Sequence, residues 1–387
     1  MRRMRRRTLL ATAGVLVSAG CSALQGGDGT DTATDTDTQS ETDTAAPTDT
    51  TTAPSGTDTL SEPAPTTGTE SPTATDTTTE PEETATPNRA EREAAREIDR
   101  ARTKLSEALT EYVAFAPSGT SDPTILSVDA SVNVTIADVT NPVSEARVSL
   151  DRVTDRASSE QQATVEALRG VATFLDRGVR CQAKLYDAYQ DFTFVVDRLY
   201  AENTGGVPDE IANIRDETAD ARGFFDTLTA ESDAGDTTAF DDLDEATYAD
   251  KVGQFEAELD AFPTVADGLT AFRRGLETFL EAAENYLGGD YREPRETFPE
   301  AADDFRTASQ TLSAVSAPPS IADTVADLVE VAEAIAPACD DLAEASRAGF
   351  TGDSSDREDA FEAAQAHLES SDVAVENFDT IEELVEE

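Results

Sequence analysis

Several residue types are scarce in this chain of 387 residues, and each scarcity excludes a class of function. Tryptophan is absent and histidine occurs once, as His367, so a metal site built from several histidines is excluded. Lysine and arginine together number 29 against 80 aspartates and glutamates, which gives a formal net charge of −51. A nucleic-acid-binding protein needs a basic face, and this composition cannot supply one.

The basic residues are almost all arginines, because Lys104, Lys184 and Lys251 are the only lysines. A large excess of acid with almost no lysine resembles the proteins of halophilic archaea. Carboxylates hold water and cations, and molar salt shortens the Debye length to about 3 Å and so screens their repulsion. In dilute buffer the same charge destabilises a compact state. We therefore expect the fold to need salt; the alternative is an acidic protein without that requirement.

The first 20 residues are typical of a targeting segment. A charged front, Arg2–Arg7, precedes the apolar stretch Leu9–Val17, which is far shorter than the ~20 residues of a membrane-spanning helix. The pair Arg6-Arg7 before Thr8-Leu9-Leu10 and the ending Ala19-Gly20-Cys21 resemble the signals of twin-arginine lipoproteins. In that class the arginine pair is read by the exporter of folded proteins, and the cysteine becomes the lipidated first residue. The resemblance implies removal of residues 1–20.

The same resemblance implies a location but no activity. Arg6 and Arg7 would form the export signal, and Cys21 would carry a lipid that anchors the protein to the cell membrane, facing the exterior. Ser18 departs from the pattern, because an apolar residue usually stands there. An uncleaved or non-lipidated signal is therefore the alternative.

Residues 21–88 are predicted to form a disordered stalk behind the lipidated cysteine. From residue 28 onward this tract holds 23 threonines, seven prolines and 14 acidic residues, with Leu60 as its only large apolar residue. Such a segment cannot bury enough apolar surface to offset the entropy of ordering. Threonine-rich tracts of this kind are typical of O-glycosylated stalks, and an unmodified tether is the alternative. Either form would be a spacer between the membrane and the rest of the chain.

Residues 89–387 are predicted to form an all-α domain, because apolar residues recur there at three- and four-residue steps. We expect an antiparallel bundle of eight or nine helices joined by short loops. The first helix should begin at the N-cap Asn88, and a long, widely apolar helix from Ser159 to about Asn203 should lie in the middle of the bundle. The segment from Ile125 to Val139 suits an extended connector. Further helices are predicted after Pro142 and over 209–230, 238–262, 264–288, 294–315, 320–348 and 356–386, with Ser159/Gln162, Ser320 and Ser355/Glu358 as cap signals.

One segment resembles a tetratricopeptide repeat. The matching residues are Tyr286, Gly289-Asp290-Tyr291, Phe298 and Ala301, while Pro294 stands where that motif has a small residue. Repeats of this family form solenoids that bind peptides, so a short helical array is the alternative to an irregular bundle. A stable solenoid needs three or more repeats, and only one copy is visible.

Three further residues are candidates for covalent chemistry. Cys181 and Cys339 could form a disulfide in an oxidising exterior, and the alternative is two buried free thiols. Asn133-Val134-Thr135 is an N-glycosylation sequon in the non-helical stretch of the domain.

No catalytic residue, metal site or cofactor is predicted. The densest acidic group is Asp241, Asp242, Asp244 and Glu245, but it lacks the glycine and spaced glutamate of a calcium loop, which favours a solvated face. His367 lies in no catalytic motif and is interpreted as a surface or packing residue. The sequence also has no glycine-rich phosphate loop, G-x-S-x-G or Cys-x-x-Cys.

The leading functional hypothesis is a non-enzymatic surface lipoprotein whose helical bundle binds a protein, glycan or solute. The alternative is a structural or sensory accessory subunit of a membrane complex, with the long helix near residue 180 as its contact element. An exposed apolar patch would favour that alternative. A hydrolase that uses paired carboxylates is a third reading, but with so many acidic residues the sequence cannot single out a pair.

Overall fold

The computed structural model describes residues 88–153 and 157–386, which belong to one compact unit, Pro81–Glu387. Arg6, Arg7, Cys21 and the predicted stalk up to residue 87 lie outside the described residues. The described part contains ten α-helices, two short 3-10 helices and no β-strand, so the prediction of an all-α fold is confirmed. The helices are α1 Arg89–Val113, α2 Ile136–Val153, α3 Ser159–Tyr200, α4 Val207–Glu231, α5 Glu245–Leu287, α6 Pro294–Ser313, α7 Ala322–Thr351, α8 Ser354–Leu368, α9 Asp372–Asn377 and α10 Asp379–Glu386.

Two prolines that were expected to interrupt helices lie inside them. Pro142 is within α2, which therefore begins earlier than predicted, and Pro263 is within α5, which joins two predicted helices into one of 43 residues. A proline inside a helix costs about 3 kcal/mol. In α5 the buried stripe continues across the proline through Leu259, Phe262 and Val265. Tertiary packing on both sides of Pro263 offsets the local cost.

The prediction of one continuous last helix over 356–386 was wrong, because this segment is divided into the three helices α8, α9 and α10. The Ser371 hydroxyl accepts a hydrogen bond from the Ala374 N–H at 3.1 Å and donates to Glu330 of α7 at 2.7 Å. A serine bonded in this way begins a new helix and fixes it to its neighbour. This division brings the number of α-helices above the eight or nine predicted.

The helix caps follow the sequence signals to within a few residues. Asn88 caps α1 as predicted, in a reciprocal pair with Glu91. The pair that caps α3 is Ser158 and Gln161, one residue before the predicted pair. Two predicted caps are wrong: α8 is capped by Asp353 rather than Ser355, and α7 begins after Ile321, where the buried Ser320 hydroxyl has no hydrogen-bond partner among the described residues.

From α1 to α8, helices that follow each other in the chain pack side by side, and α3 and α5 run in the same direction. Phe174 and Tyr248 lie 4.6 Å apart near the beginning of this pair, measured between ring centroids. Near the end of α3, Tyr200 contacts Phe378, which in turn lies 6.4 Å from Phe272 of α5. The last turns of α5 therefore extend beyond the end of α3.

The beginning of α1 lies beside the beginning of α3, because the Gln161 side chain donates to the Glu91 carbonyl at 3.0 Å. Asn88 is thus at one end of the helical unit, and the turn between α5 and α6 is at the other. The length of α3 together with the last turns of α5 corresponds to roughly 80 Å at about 1.5 Å per residue. We call the end that carries the α5–α6 turn the distal end.

Glycines let α6 approach α5 closely. A Cβ atom on Gly268 would lie 2.6 Å from the Leu312 side chain, and one on Gly275 would lie 3.1 Å from the ring of Phe305. Phe305 also meets Phe272 edge-on at a centroid distance of 5.3 Å. The contact between α5 and α6 therefore places the Leu312 side chain and the Phe305 ring directly on glycine positions of α5.

Candidate functional site

A buried polar cluster lies where the connector between α1 and α2 crosses α3 and α5. Lys251 of α5 donates to the Val128 carbonyl and, at 3.1 Å each, to the side-chain oxygens of Gln182 and Gln254. Two turns further along α5, Glu258 accepts from the Ala130 N–H at 2.9 Å. We call Lys251, Gln182, Gln254 and Glu258 the buried lysine cluster. It supplies the hydrogen bonds that the buried connector backbone cannot make with water.

Burial shifts the ionisation of this cluster. Desolvation lowers the pKa of Lys251 to about 8, although the Glu258 charge opposes the shift, and desolvation raises the pKa of Glu258 to about 7 against the opposing effect of Lys251. The Lys251 ammonium also lies 4.3 Å from the centroid of the Phe255 ring. Shifted pKa values are frequent at catalytic sites. Here Lys251 and Gln182 are 0% exposed and Glu258 is 1% exposed, so the two charged groups of the cluster face the connector and are not accessible to a ligand.

A second candidate is an open cleft of about 300 Å³ at the distal end. The Tyr286 ring stacks on Phe361 at a centroid distance of 5.6 Å and meets Tyr291 edge-on at 5.3 Å. The Arg357 guanidinium donates to the Tyr291 hydroxyl at 2.6 Å and lies 5.6 Å from the centroid of that ring. We call it the distal cleft; its lining residues are Tyr286, Leu287, Tyr291, Arg357, Glu358 and Phe361.

The local sequence positions Tyr291 through glycines and a tight turn. Gly289 has φ +80°, a conformation that glycine adopts without strain, and it follows directly on the end of α5. The Asp290 carboxylate then accepts from the Arg292 N–H at 3.0 Å, which fixes the turn around Tyr291. On the other side, a Cβ atom on Gly349 of α7 would lie 2.7 Å from the Tyr291 ring. The ring therefore joins the α5–α6 turn to α7 and, through Arg357, to α8.

A second exposed ring with an arginine beside it lies next to the cleft. Phe350, the last residue but one of α7, is 52% exposed. The Arg295 guanidinium lies 4.3 Å from the centroid of its ring. Tyrosine, phenylalanine and arginine are enriched at binding surfaces, where rings supply area and guanidinium groups supply directed donors. Such short-range contacts persist in concentrated salt, whereas attraction between exposed charges is screened. The distal cleft thus presents aromatic rings and one guanidinium group at its surface.

The two cysteines of the domain are both buried and free, so the candidate disulfide between Cys181 and Cys339 is not formed. The two thiols have different neighbours. Cys181 of α3 is near Glu258 and Lys251 of α5, and Cys339 of α7 is near Arg306 of α6. Burial raises the pKa of both thiols well above the usual range. The alternative, two inert thiols that act as small apolar residues, describes their place in the structure.

The acidic group 241–245 has a local structural role, because Asp244 is the N-cap of α5 and accepts from the Thr247 N–H at 2.9 Å. Among the described residues, no group of three or more histidine, cysteine or carboxylate side chains is placed to hold a metal ion. His367 lies 3.5 Å from the Asp341 carboxylate and is about half exposed, at 48% of its side chain. Asn133 is exposed, on the connector.

Neither candidate site was predicted from the sequence, although the sequence contains a signal for one of them. Tyr248, Lys251, Phe255, Glu258 and Phe262 follow a three- and four-residue spacing along α5, which places a lysine and a glutamate on the apolar face. Charged residues on such a face are almost never fully buried unless they are paired. The distal cleft gave no comparable signal, because Phe361 and Arg357 are distant from Tyr286 in the sequence.

No protein-family model, curated protein or solved structure matches this chain in the three comparisons. The residues that resemble a tetratricopeptide repeat, 286–301, lie across the turn between α5 and α6, where the Tyr286 and Phe298 ring centroids are 6.3 Å apart. A search of the described helices for a segment long and apolar enough to cross a membrane found none.

Proposed function

We propose that the chain is a non-enzymatic, lipid-anchored protein of the cell exterior, which binds a protein, glycan or solute through its distal cleft. The observation that carries this proposal is the position of the cleft. Its rings and Arg357 lie at the end of the helical unit opposite to Asn88, where the predicted stalk joins the first helix. A binding surface on a membrane-anchored protein is best placed at the end far from its attachment.

The signal segment supports the anchored location, since Arg6-Arg7 and Ala19-Gly20-Cys21 resemble an export and lipidation signal. The non-enzymatic character is supported by the absence of catalytic motifs in the sequence and by the burial of Lys251 and Glu258. In the alternative role as an accessory subunit, the long helix near residue 180 is the contact element, and an exposed apolar patch would favour that role. In that part of α3, Val179, Cys181 and Leu185 are all buried. These three buried side chains give the alternative no support.

The proposal is tested by capture of the partner from native cells in high salt, with full-length protein carrying a C-terminal tag. We compare wild type with Phe350→Ala and Arg357→Ala, and use Phe194→Ala as the matched control. Phe194 is 45% exposed, similar to Phe350, and the Arg198 guanidinium lies 5.4 Å from its ring centroid. Unlike Phe350, it lies on α3.

The expected result is a component that is enriched with wild type and Phe194→Ala and is lost with the two distal variants. Mass spectrometry identifies a protein component, and glycan or metabolite analysis of the same eluate identifies the other two classes. Equal capture by all four proteins would contradict binding at the distal cleft. Cys21→Ser should move the protein from the membrane fraction to the medium, and its retention in the membrane would contradict the lipid anchor.

A further inference from the structure

Asn133 lies in the only N-glycosylation sequon of the chain, although the sequence contains seven asparagines. The Asn133 side chain makes no hydrogen bond within the described residues and is exposed. The sequon occupies the connector directly before α2, at a place where the chain is neither helical nor paired. Its position is therefore accessible, and its amide is not committed to the fold.

The side chains around the sequon alternate between the inner and the outer side of the connector. Val132 and Val134 point into the domain and are each 8% exposed, whereas Asn133 and Thr135 face outward. The asparagine amide and the threonine hydroxyl, which together define the sequon, are thus presented side by side on the outside of the folded domain.

The connector is also held firmly on its inner side. The Val132 N–H donates to the Asp129 carbonyl at 2.9 Å, and the Ala130 N–H donates to Glu258 of the buried lysine cluster at 2.9 Å. The domain does not need to unfold for an enzyme to read Asn133 and Thr135. This matters because the signal segment implies export of the chain in the folded state.

We propose that Asn133 carries an N-linked glycan, added to the folded protein after export. The Asn133 amide nitrogen attacks the anomeric carbon of a lipid-phosphate-linked oligosaccharide. A carbon–nitrogen glycosidic bond forms, the bond from that carbon to the phosphate oxygen breaks, the lipid phosphate leaves, and the amide nitrogen loses one proton. The modification rests on the exterior location proposed above but not on the distal cleft, which is at another part of the domain.

The test is mass spectrometry of tryptic peptides of the protein purified from membranes of native cells. Asn133 falls in the peptide Leu105–Arg147, which also contains Asn141. Asn141 precedes Pro142 and is not in a sequon, so it serves as an internal control. We expect Leu105–Arg147 to carry sugar mass that fragmentation assigns to Asn133. Asn133→Gln and Thr135→Ala should abolish it, and Thr135→Ser should retain it.

The same digest reports whether the mature chain begins at a lipidated Cys21, which separates the two proposals. An unmodified Leu105–Arg147 peptide from protein with a lipidated Cys21 would overturn glycosylation and leave the proposed location intact. Sugar that persists in Asn133→Gln would likewise overturn the assignment. If Asn133→Gln does not accumulate, the comparison of Thr135→Ala with Thr135→Ser gives the answer without changing the asparagine.

Discussion

Replacement of Lys251 by methionine should destabilise the helical domain strongly. The variant removes the donor to the Val128 carbonyl, Gln182 and Gln254 and leaves Glu258 buried without its opposite charge. A buried polar group that loses its hydrogen-bond partner typically costs about 1–3 kcal/mol, so the loss of these three contacts should lower the free energy of unfolding by roughly 3 kcal/mol or more. Methionine preserves most of the side-chain volume, so the expected loss reflects polar contacts and charge rather than a cavity.

Lys184→Met is the matched control, because Lys184 is the lysine of α3 and forms an ion pair with Glu217 of α4 at 2.6 Å. Its side chain is 31% exposed. Pairs that water reaches contribute about 0–1 kcal/mol, so this variant should differ little from wild type. The contrast between the two variants isolates the effect of burial from the effect of losing a lysine.

The measurement is urea unfolding followed by far-ultraviolet circular dichroism, at constant high salt, since urea leaves the ionic strength unchanged. The double variant Lys251→Met/Glu258→Gln should lose less than the sum of its single variants, because the glutamine cannot be left as a buried charge. If Lys251→Met loses no more stability than Lys184→Met, the buried lysine cluster does not hold the connector, and our interpretation of it is wrong.

Two further predictions concern titration and packing. Burial raises the pKa of Glu258 from 4.5 to about 7, so the folded state keeps a proton that the unfolded state releases between those values. The free energy of unfolding of wild type, relative to that of Glu258→Gln, should therefore fall as the pH rises from about 4.5 to about 7 and then level off. Urea unfolding of both proteins across this range measures the difference. A difference that does not change with pH would contradict the raised pKa. Gly349→Ala should cost about 1–3 kcal/mol, because its Cβ atom would overlap a tyrosine ring, whereas Gly253→Ala in open space on α5 should gain up to about 1 kcal/mol. Equal melting temperatures for these two alanine variants would refute the close approach at the distal cleft.

The regular parts of the fold could be predicted from the sequence because they depend on local patterns. The wide apolar face of α3 indicated a central helix, and Val171, Phe174, Leu175 and Leu185 are indeed buried on several sides. Asn88 was identified as a cap from its residue type at the start of the helical period, and in the structure its side chain accepts from the Glu91 N–H while the Glu91 carboxylate accepts from the Asn88 N–H.

The errors arose where distant packing outweighed a local signal. Pro263 is a strong helix breaker in isolation, and only the packing of Phe262, Val265 and their partners keeps α5 continuous. The distal cleft could not be predicted for the same reason. Its rings come from α5, the α5–α6 turn and α8, and a one-dimensional pattern does not show which helices end at the same place.

Charge is unevenly distributed along the domain, and this leads to a prediction about how it depends on salt. Residues 88–200 contain 18 acidic and 14 basic residues, whereas residues 320–387 contain 20 acidic and only two basic residues, Arg347 and Arg357. Repulsion between exposed carboxylates reaches about 3 Å in 1 M salt but about 10 Å in 0.1 M salt. As salt is withdrawn, the uncompensated repulsion should therefore grow mostly in α7–α10.

Hydrogen exchange measured by mass spectrometry at decreasing salt should show loss of protection first in α7–α10, while α1–α3 remain protected. Contacts that join the C-terminal helices to the rest of the domain, such as the hydrogen bonds of Thr380 to Glu202, should open with them. The distal cleft includes Arg357, Glu358 and Phe361 of α8, so ligand binding should be lost over the same range of salt. Uniform loss of protection across all helices would show that total charge, rather than its distribution, sets the salt requirement.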